Sequence, residues 1–219
     1  MAKQKVLIYK KYERFWHWMQ AILAIFLMIT GFEIHGYYSF LGYLNAVTYH
    51  NYAAIALIVL IILTIFWHFV TGEWKQYIPT TENIVAYIKF YTNGIFKGEP
   101  HPTHKTQLSK LNPLQRLTYL GLKIVLFPLL VTTGILYMVY RYPQGSKIEF
   151  INIGGLEIIA VLHTLGAFLM VAFLIAHLYL TTTGDTILSN IKAMITGYEE
   201  LEVHEDKKEN QTEQNLQQS

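Results

Sequence analysis

The chain has 219 residues, of which 53% are hydrophobic, 15% aromatic and only 15% charged, with a mean hydropathy of +0.28. So few charges among so many apolar residues exclude an ordinary soluble domain and point to a membrane protein. A net charge of +2 gives no reason to expect a nucleic-acid partner, and the absence of cysteine excludes disulfides and thiolate chemistry.

Four apolar runs are each long enough to cross a hydrocarbon layer of about 30 Å, which takes roughly 20 helical residues. They are residues 15–32, "FWHWMQAILAIFLMITGF"; 52–70, "YAAIALIVLIILTIFWHFV"; 117–140, "LTYLGLKIVLFPLLVTTGILYMVY"; and 156–180. Lysines precede the first run, as in a signal peptide, but it is too long for a secretory core and ends in no small-residue cleavage site, so it reads as a retained anchor. Between runs two and three, Ile84, Val85, Ile88, Tyr91 and Ile95 recur at helical spacing and predict an amphipathic helix at the membrane surface or a docking face. The expected fold is therefore all-α, an integral membrane four-helix bundle with one interfacial helix, as a single domain over residues 1–198. Residues 199–219 carry too few apolar side chains to offset the cost of ordering and read as a mobile, disordered tail.

Lysine and arginine placement gives the orientation. Lys3, Lys5, Lys10, Lys11 and Arg14 precede run one, and Lys75, Lys89, Lys97, Lys105, Lys110 and Arg116 occupy the link between runs two and three, whereas residues 33–51 carry none. Both termini are expected in the cytoplasm of a bacterium with the chain in its inner membrane. The 141–155 loop, with Arg141 and Lys147, then lies outside.

Of nine histidines, five fall in or at the ends of the runs: His17, His50, His68, His163 and His177. Polar, ionisable side chains in lipid are costly without a partner, although a single one often just bonds a neighbouring helix. Spacing separates these readings. Fourteen residues advance nearly four turns, so His163 and His177 leave one face of the same helix roughly 21 Å apart. His50 enters at the level of His163 and His17 at that of His177, which sorts the four into two pairs. Facing imidazoles at one depth suit a six-coordinate haem iron. Zinc prefers four ligands, often with cysteine or carboxylate, and the cores of the spans supply neither; without cysteine, c-type attachment is impossible and non-covalent haem b remains. Gly31, Gly121, Gly134 and Gly166 would give a porphyrin clearance, or simply pack helices.

The segments "ERFWHWMQAILAIFLMITGF", "YHNYAAIALIV", "LNPLQRLTYLGLK" and "HTLGAFLMVAFLIAHLYL" resemble the bacterial di-haem cytochrome b family of formate dehydrogenase gamma subunits, thiosulfate reductase cytochrome b subunits and hydrogenase b-type cytochromes, over residues 10–197. The resemblance implies a membrane subunit with two haem b groups that passes electrons between a quinone pool and a periplasmic iron–sulfur, hydrogenase or multihaem partner. It implies His50 and His163 as ligands of one haem and His17 and His177 of the other. It also implies a quinone pocket at Asn112, with Gln115 beside it, although Leu114 stands where the formate dehydrogenase version has glycine. His68 is assigned to that pocket or to a structural bond, or would replace His17 opposite His177. Arg14 would meet a haem propionate, Glu73 and Lys75 would relay protons, and Trp16, Trp18, Trp67 and Trp74 read as an interfacial belt. Two alternatives are a self-sufficient cytochrome b561 and a haem-free transporter or anchor.

Overall fold

A backbone inside lipid has no water to bond, so each apolar run must close its hydrogen bonds within itself. The computed structural model describes residues 3–80, 84–99, 110–141, 153–184 and 186–202, and among these are four helices long and apolar enough to cross a membrane. The order is β1 (Lys3–Leu7), α1 (Lys11–Ile34), α2 (Tyr43–Thr71), a 3-10 turn (Glu73–Tyr77), α3 (Ile84–Thr92), α4 (Pro113–Gly121), α5 (Phe127–Arg141), α6 (Ile153–Thr181), α7 (Ser189–Thr196) and β2 (Tyr198–Glu202). The 141–155 loop falls largely outside the described residues, as does Lys105.

Helix α2 begins at Tyr43, well before the apolar run at residue 52, because α1 supplies its cap. Glu33, 4% exposed, accepts the backbone N–H groups of Phe40, Leu41 and Gly42 on Oε1 at 2.7, 2.6 and 2.8 Å. A carboxylate at a helix N-terminus satisfies otherwise orphaned donors and opposes the positive end of the dipole. His50 consequently lies two turns inside α2 rather than at its mouth. At the other end Gly72, with φ +74°, turns the chain in the left-handed conformation that stops the helix.

The third span joins α4 to α5 through a π-helical stretch, Leu122–Leu126. Pro128 explains it: proline has no N–H and its ring crowds the carbonyl four residues back, so the ladder widens by one residue there. The N–H of Phe127 bonds the Leu122 carbonyl, five residues back.

Helix α1 packs along α2 and α5 along α6. Gly166 lets the second pair close up, since a Cβ there would stand 2.8 Å from Leu130 Cδ2. Leu122, Leu126, Phe127 and Met170 form a core against Met28, Ile61, Leu130 and Phe173. Ile22, Ile62, Phe66, Val125, Ile158 and Ile175 instead point outward, as side chains solvated by lipid do.

The interfacial helix is α3, but it turns Tyr87 and Phe90 inward and leaves Val85 and Ile88 exposed, while Ile95 falls past its end. The mobile-tail expectation needs correcting for residues 199–202. They belong to β2, which pairs antiparallel with β1, setting Glu200 opposite Lys5 and Tyr198 opposite Leu7. The tail cannot fold alone, but a cross-strand partner of opposite charge satisfies its backbone. Residues 203–219 lie outside the described residues. Arg14 and Trp18 of α1 donate to the carbonyls of Ile195 and Met194 at the end of α7, at 2.6 and 3.2 Å. β1 and β2, the first and last described elements, thus meet at one end of the bundle, called the termini end below.

Candidate functional site

Three of the four spans bring four of the five histidines together in twos. The ring centres of His50 on α2 and His163 on α6 are 6.3 Å apart; those of His17 on α1 and His177 on α6 are 6.1 Å apart. Helix α6 supplies one ring to each pair. An iron gripped from both sides at metal–nitrogen bonds of about 2 Å sets the ring centres about 6 Å apart, so both pairs have the separation of a bis-imidazole ligand set. Among the described residues no three His, Asp or Glu side chains cluster as a tetrahedral site would require.

The pair farther from the termini is held symmetrically. Thr30 donates its hydroxyl to the Phe26 carbonyl at 2.8 Å, and its oxygen lies 2.9 Å from His50 Nδ1. Thr133 donates to the Leu129 carbonyl at 2.6 Å, and its oxygen lies 2.8 Å from His163 Nδ1. With each hydroxyl proton spent on backbone, the oxygen accepts from the ring, so Nδ1 carries the proton and Nε2 keeps a free lone pair. The next residues, Gly31 and Gly134, lie against those same rings: a Cβ on either would be 3.4 Å from the imidazole Cε1. A cavity of about 470 Å³ opens between the two rings, with Leu57, Phe127 and Phe168 among its apolar walls.

The pair nearer the termini is held differently. His17 Nδ1 is buried with no hydrogen-bond partner, and the Tyr119 hydroxyl is 3.4 Å from His177 Nδ1. Phe173 stacks on the His177 ring at 5.6 Å and 15°.

A second cavity, of about 690 Å³, lies between α2 and the π-helical stretch, where Trp16, His68, Tyr77 and Lys123 gather. His68 Nδ1 is 2.7 Å from the Thr64 carbonyl, and its Nε2 is 3.4 Å from the Tyr77 hydroxyl. The Lys123 ammonium sits 3.3 Å from the Tyr77 ring centre and 5.7 Å from that of Trp16. Burial, reinforced by Glu13, raises the Tyr77 phenol above its ordinary value and keeps it a neutral donor.

At the termini end, Lys110 donates to Glu13 at 2.8 Å and to Glu73 at 3.2 Å, and Lys10 donates to Glu73 at 2.6 Å. Burial alone would raise Glu73, but hydrogen bonds and charge from Lys10 and Lys110 outweigh it and hold the carboxyl below its usual range.

Comparison with known proteins supplies the family. Residues 8–197 match the model of prokaryotic cytochrome b561. The chain belongs to that family. It is also 31% identical over 204 residues to YdhU of Escherichia coli (strain K12), which is named as a cytochrome; the match covers 89% of this chain and 75% of YdhU. A cytochrome b561 is a membrane electron carrier with b-type haem, and the four apolar helices fit a bacterial inner-membrane protein.

In this cytochrome, His68 is not beside His177; it faces Trp16 and Tyr77. Asn112 and Gln115 line neither cavity described here. They cap α4 reciprocally, Gln115 N–H to Asn112 Oδ1 at 2.8 Å and Asn112 N–H to Gln115 Oε1 at 3.0 Å, and Asn112 Nδ2 donates to Tyr91 at 3.1 Å. Of the two cavities, His68 lines the second and Asn112 neither. Arg14 is tied to Ile195 but keeps a buried Nε without a partner. Gly166 serves helix packing, and a Cβ on Gly121 would meet nothing within 4 Å. Trp16 turns inward instead of joining a belt. Sequence reading missed Thr30, Thr133 and Lys123; a Thr-Gly pair repeated in spans one and three, and a lysine inside a span, were the available signals.

Proposed function

We propose that the protein is a two-haem cytochrome b subunit that moves electrons between a membrane quinone and a redox partner on the periplasmic side. The observation that carries this reading is the pairing of imidazoles at 6.1 and 6.3 Å on opposing helices, at two depths fixed by the spacing of His163 and His177. When bound, haem b supplies a one-electron carrier at each depth.

The chain's own part is binding, orientation and exclusion of water. His50 with His163, and His17 with His177, present axial nitrogens from opposing helices. Thr30 and Thr133 fix the tautomer of the first pair, and second-shell bonds of this kind raise ligand basicity. Arg14, one turn before His17, has a buried Nε left over to hold a haem carboxylate. The positive-inside rule supports cytoplasmic termini, which puts His17 and His177 on the cytoplasmic side. A periplasmic iron–sulfur, hydrogenase or multihaem subunit would then meet the far end, near His50 and His163.

Purification in mild detergent, a reduced-minus-oxidised spectrum and haem per chain test this. Two b-type haems per chain are expected. His50→Ala and His163→Ala should lose one and the same haem, and His17→Ala and His177→Ala the other. A protein without b-type bands, or one in which His68→Ala removes a haem that His17→Ala spares, overturns the assignment. Neighbouring genes and co-purifying polypeptides separate a partner-bound subunit from a self-sufficient quinol oxidoreductase.

A further inference from the structure

Lys123 is a cation inside a membrane span, and among the described residues it forms no ion pair; its contacts are the faces of Tyr77 and Trp16. An ionisable side chain in that position is expensive unless something uses it. It sits on the π-helical stretch Leu122–Leu126, a distortion found disproportionately at functional sites. Around it are further unspent polar atoms. Trp16 Nε1 and Thr64 Oγ1 are buried without partners, and His68 Nε2 has only a long contact to Tyr77. All of these residues line the cavity of about 690 Å³, whose other walls, Ile58, Ile62, Ile65, Phe69 and Val131 among them, are mainly apolar, with Gln20 as a further polar side chain.

We propose that this cavity seats the head group of an isoprenoid quinone, with Lys123 and Trp16 as donors to its carbonyl oxygens, His68 Nε2, whose ring proton goes from Nδ1 to the Thr64 carbonyl, as acceptor for the hydroxyl of the reduced form, and the apolar walls receiving the first units of its tail. The proposal rests on the electron-carrier reading above, and names the site of its membrane substrate. The chemistry selects the ligand. Donors gathered at one end call for a head rich in acceptors, and a site reached through lipid calls for a molecule without net charge. The apolar flank calls for a hydrocarbon chain, and the volume suits a ligand of a few hundred Å³. An acyl chain would leave the donors unused, and a phospholipid head would carry its charge into the span.

The position is also right for electron exchange. The Trp16 ring is 5.9 Å from His68 and 6.3 Å from His17, ring centre to ring centre, so one indole separates the cavity from an axial imidazole. Asn112 and Gln115, by contrast, spend their side chains on the cap of α4 and on Tyr91.

The test uses the full-length, haem-loaded protein in detergent with azido-ubiquinone and azido-naphthoquinone analogues, followed by peptide mapping and binding titration. Expected are adducts on peptides carrying residue 16, residues 64–69 or residues 120–131, and affinity about tenfold weaker in Lys123→Leu and in Trp16→Phe with both haem signals intact. Adducts confined to Tyr91, Asn112 or Gln115, or undiminished affinity in the double variant, overturn the site. Loss of a haem from Lys123→Leu also overturns it, by assigning the lysine to the haem pocket. Haem-loaded protein that binds neither analogue sinks the site but leaves the electron-carrier reading standing; protein without b-type haem sinks both.

Discussion

Thr30 and Thr133 make the two imidazole pairs unequal. The pair far from the termini donates both Nδ1 protons to threonine oxygens, whereas His17 Nδ1 has no partner. A donated Nδ1 proton raises the basicity of Nε2 and favours oxidised iron. On the two-haem reading, Thr30→Val and Thr133→Val, near-isosteric changes, should each shift the midpoint potential of the haem held by His50 and His163 upward and weaken its retention by about tenfold, while the other haem keeps its potential. Redox titration followed by optical spectroscopy measures both haems in one sample; equal shifts at the two sites would exclude local control. The histidines themselves were legible because lipid makes any polar side chain conspicuous. The threonines were not: a hydroxyl in a span bonds its own helix at no great cost, and only the facing ring on another helix gives it a second role.

At the scale of elements, Glu33 decides where α2 starts and hence where His50 stands. Its Oε1 holds three backbone N–H groups that have no other described acceptor. Glu33→Ala should lower the melting temperature in detergent by roughly 5–10 °C, from a total of about 3 kcal/mol for three exposed-end donors that water partly satisfies, with, on the two-haem reading, the His50–His163 haem lost first. Glu33→Gln, which retains an acceptor, should recover most of the loss; thermal melts with haem absorbance as readout distinguish the two. The spans were legible from hydropathy, but their ends were not. Apolarity marks how much helix lies in lipid, whereas capping by a residue of the preceding helix decides where the helix begins, so α2 extends through "YLNAVTYHN" ahead of its apolar run. The π-helical stretch had a local signal in Pro128, yet the residue it serves, Lys123, becomes conspicuous only beside Trp16 and Tyr77 from elsewhere in the chain.

For the whole molecule, the termini end is closed by charge and by strand pairing. Lys110, whose side chain is 9% exposed, neutralises Glu13 of α1 and Glu73 beyond α2 together. Lys110→Met would leave Glu13 without its ion-pair partner and Glu73 with Lys10 alone, and should cost about 3 kcal/mol, read by denaturation in detergent. Because Glu73 is held below its unfolded value, its contribution is complete above that value, about 4.3, and disappears as pH falls through the lower folded value. Melts between pH 3 and 7 should show an acid limb that Glu73→Gln flattens. None of this was readable from the sequence, since residues 13, 73 and 110 meet only after two spans have folded back. Finally, α6 gives one ring to each pair, and it is the last of the four spanning helices among the described residues. A nascent chain that has inserted α1, α2 and the third span therefore owns one ring of each pair. On the two-haem reading, synthesis arrested before α6 would leave a membrane stub with a single imidazole at each depth, so neither haem would be gripped from both sides.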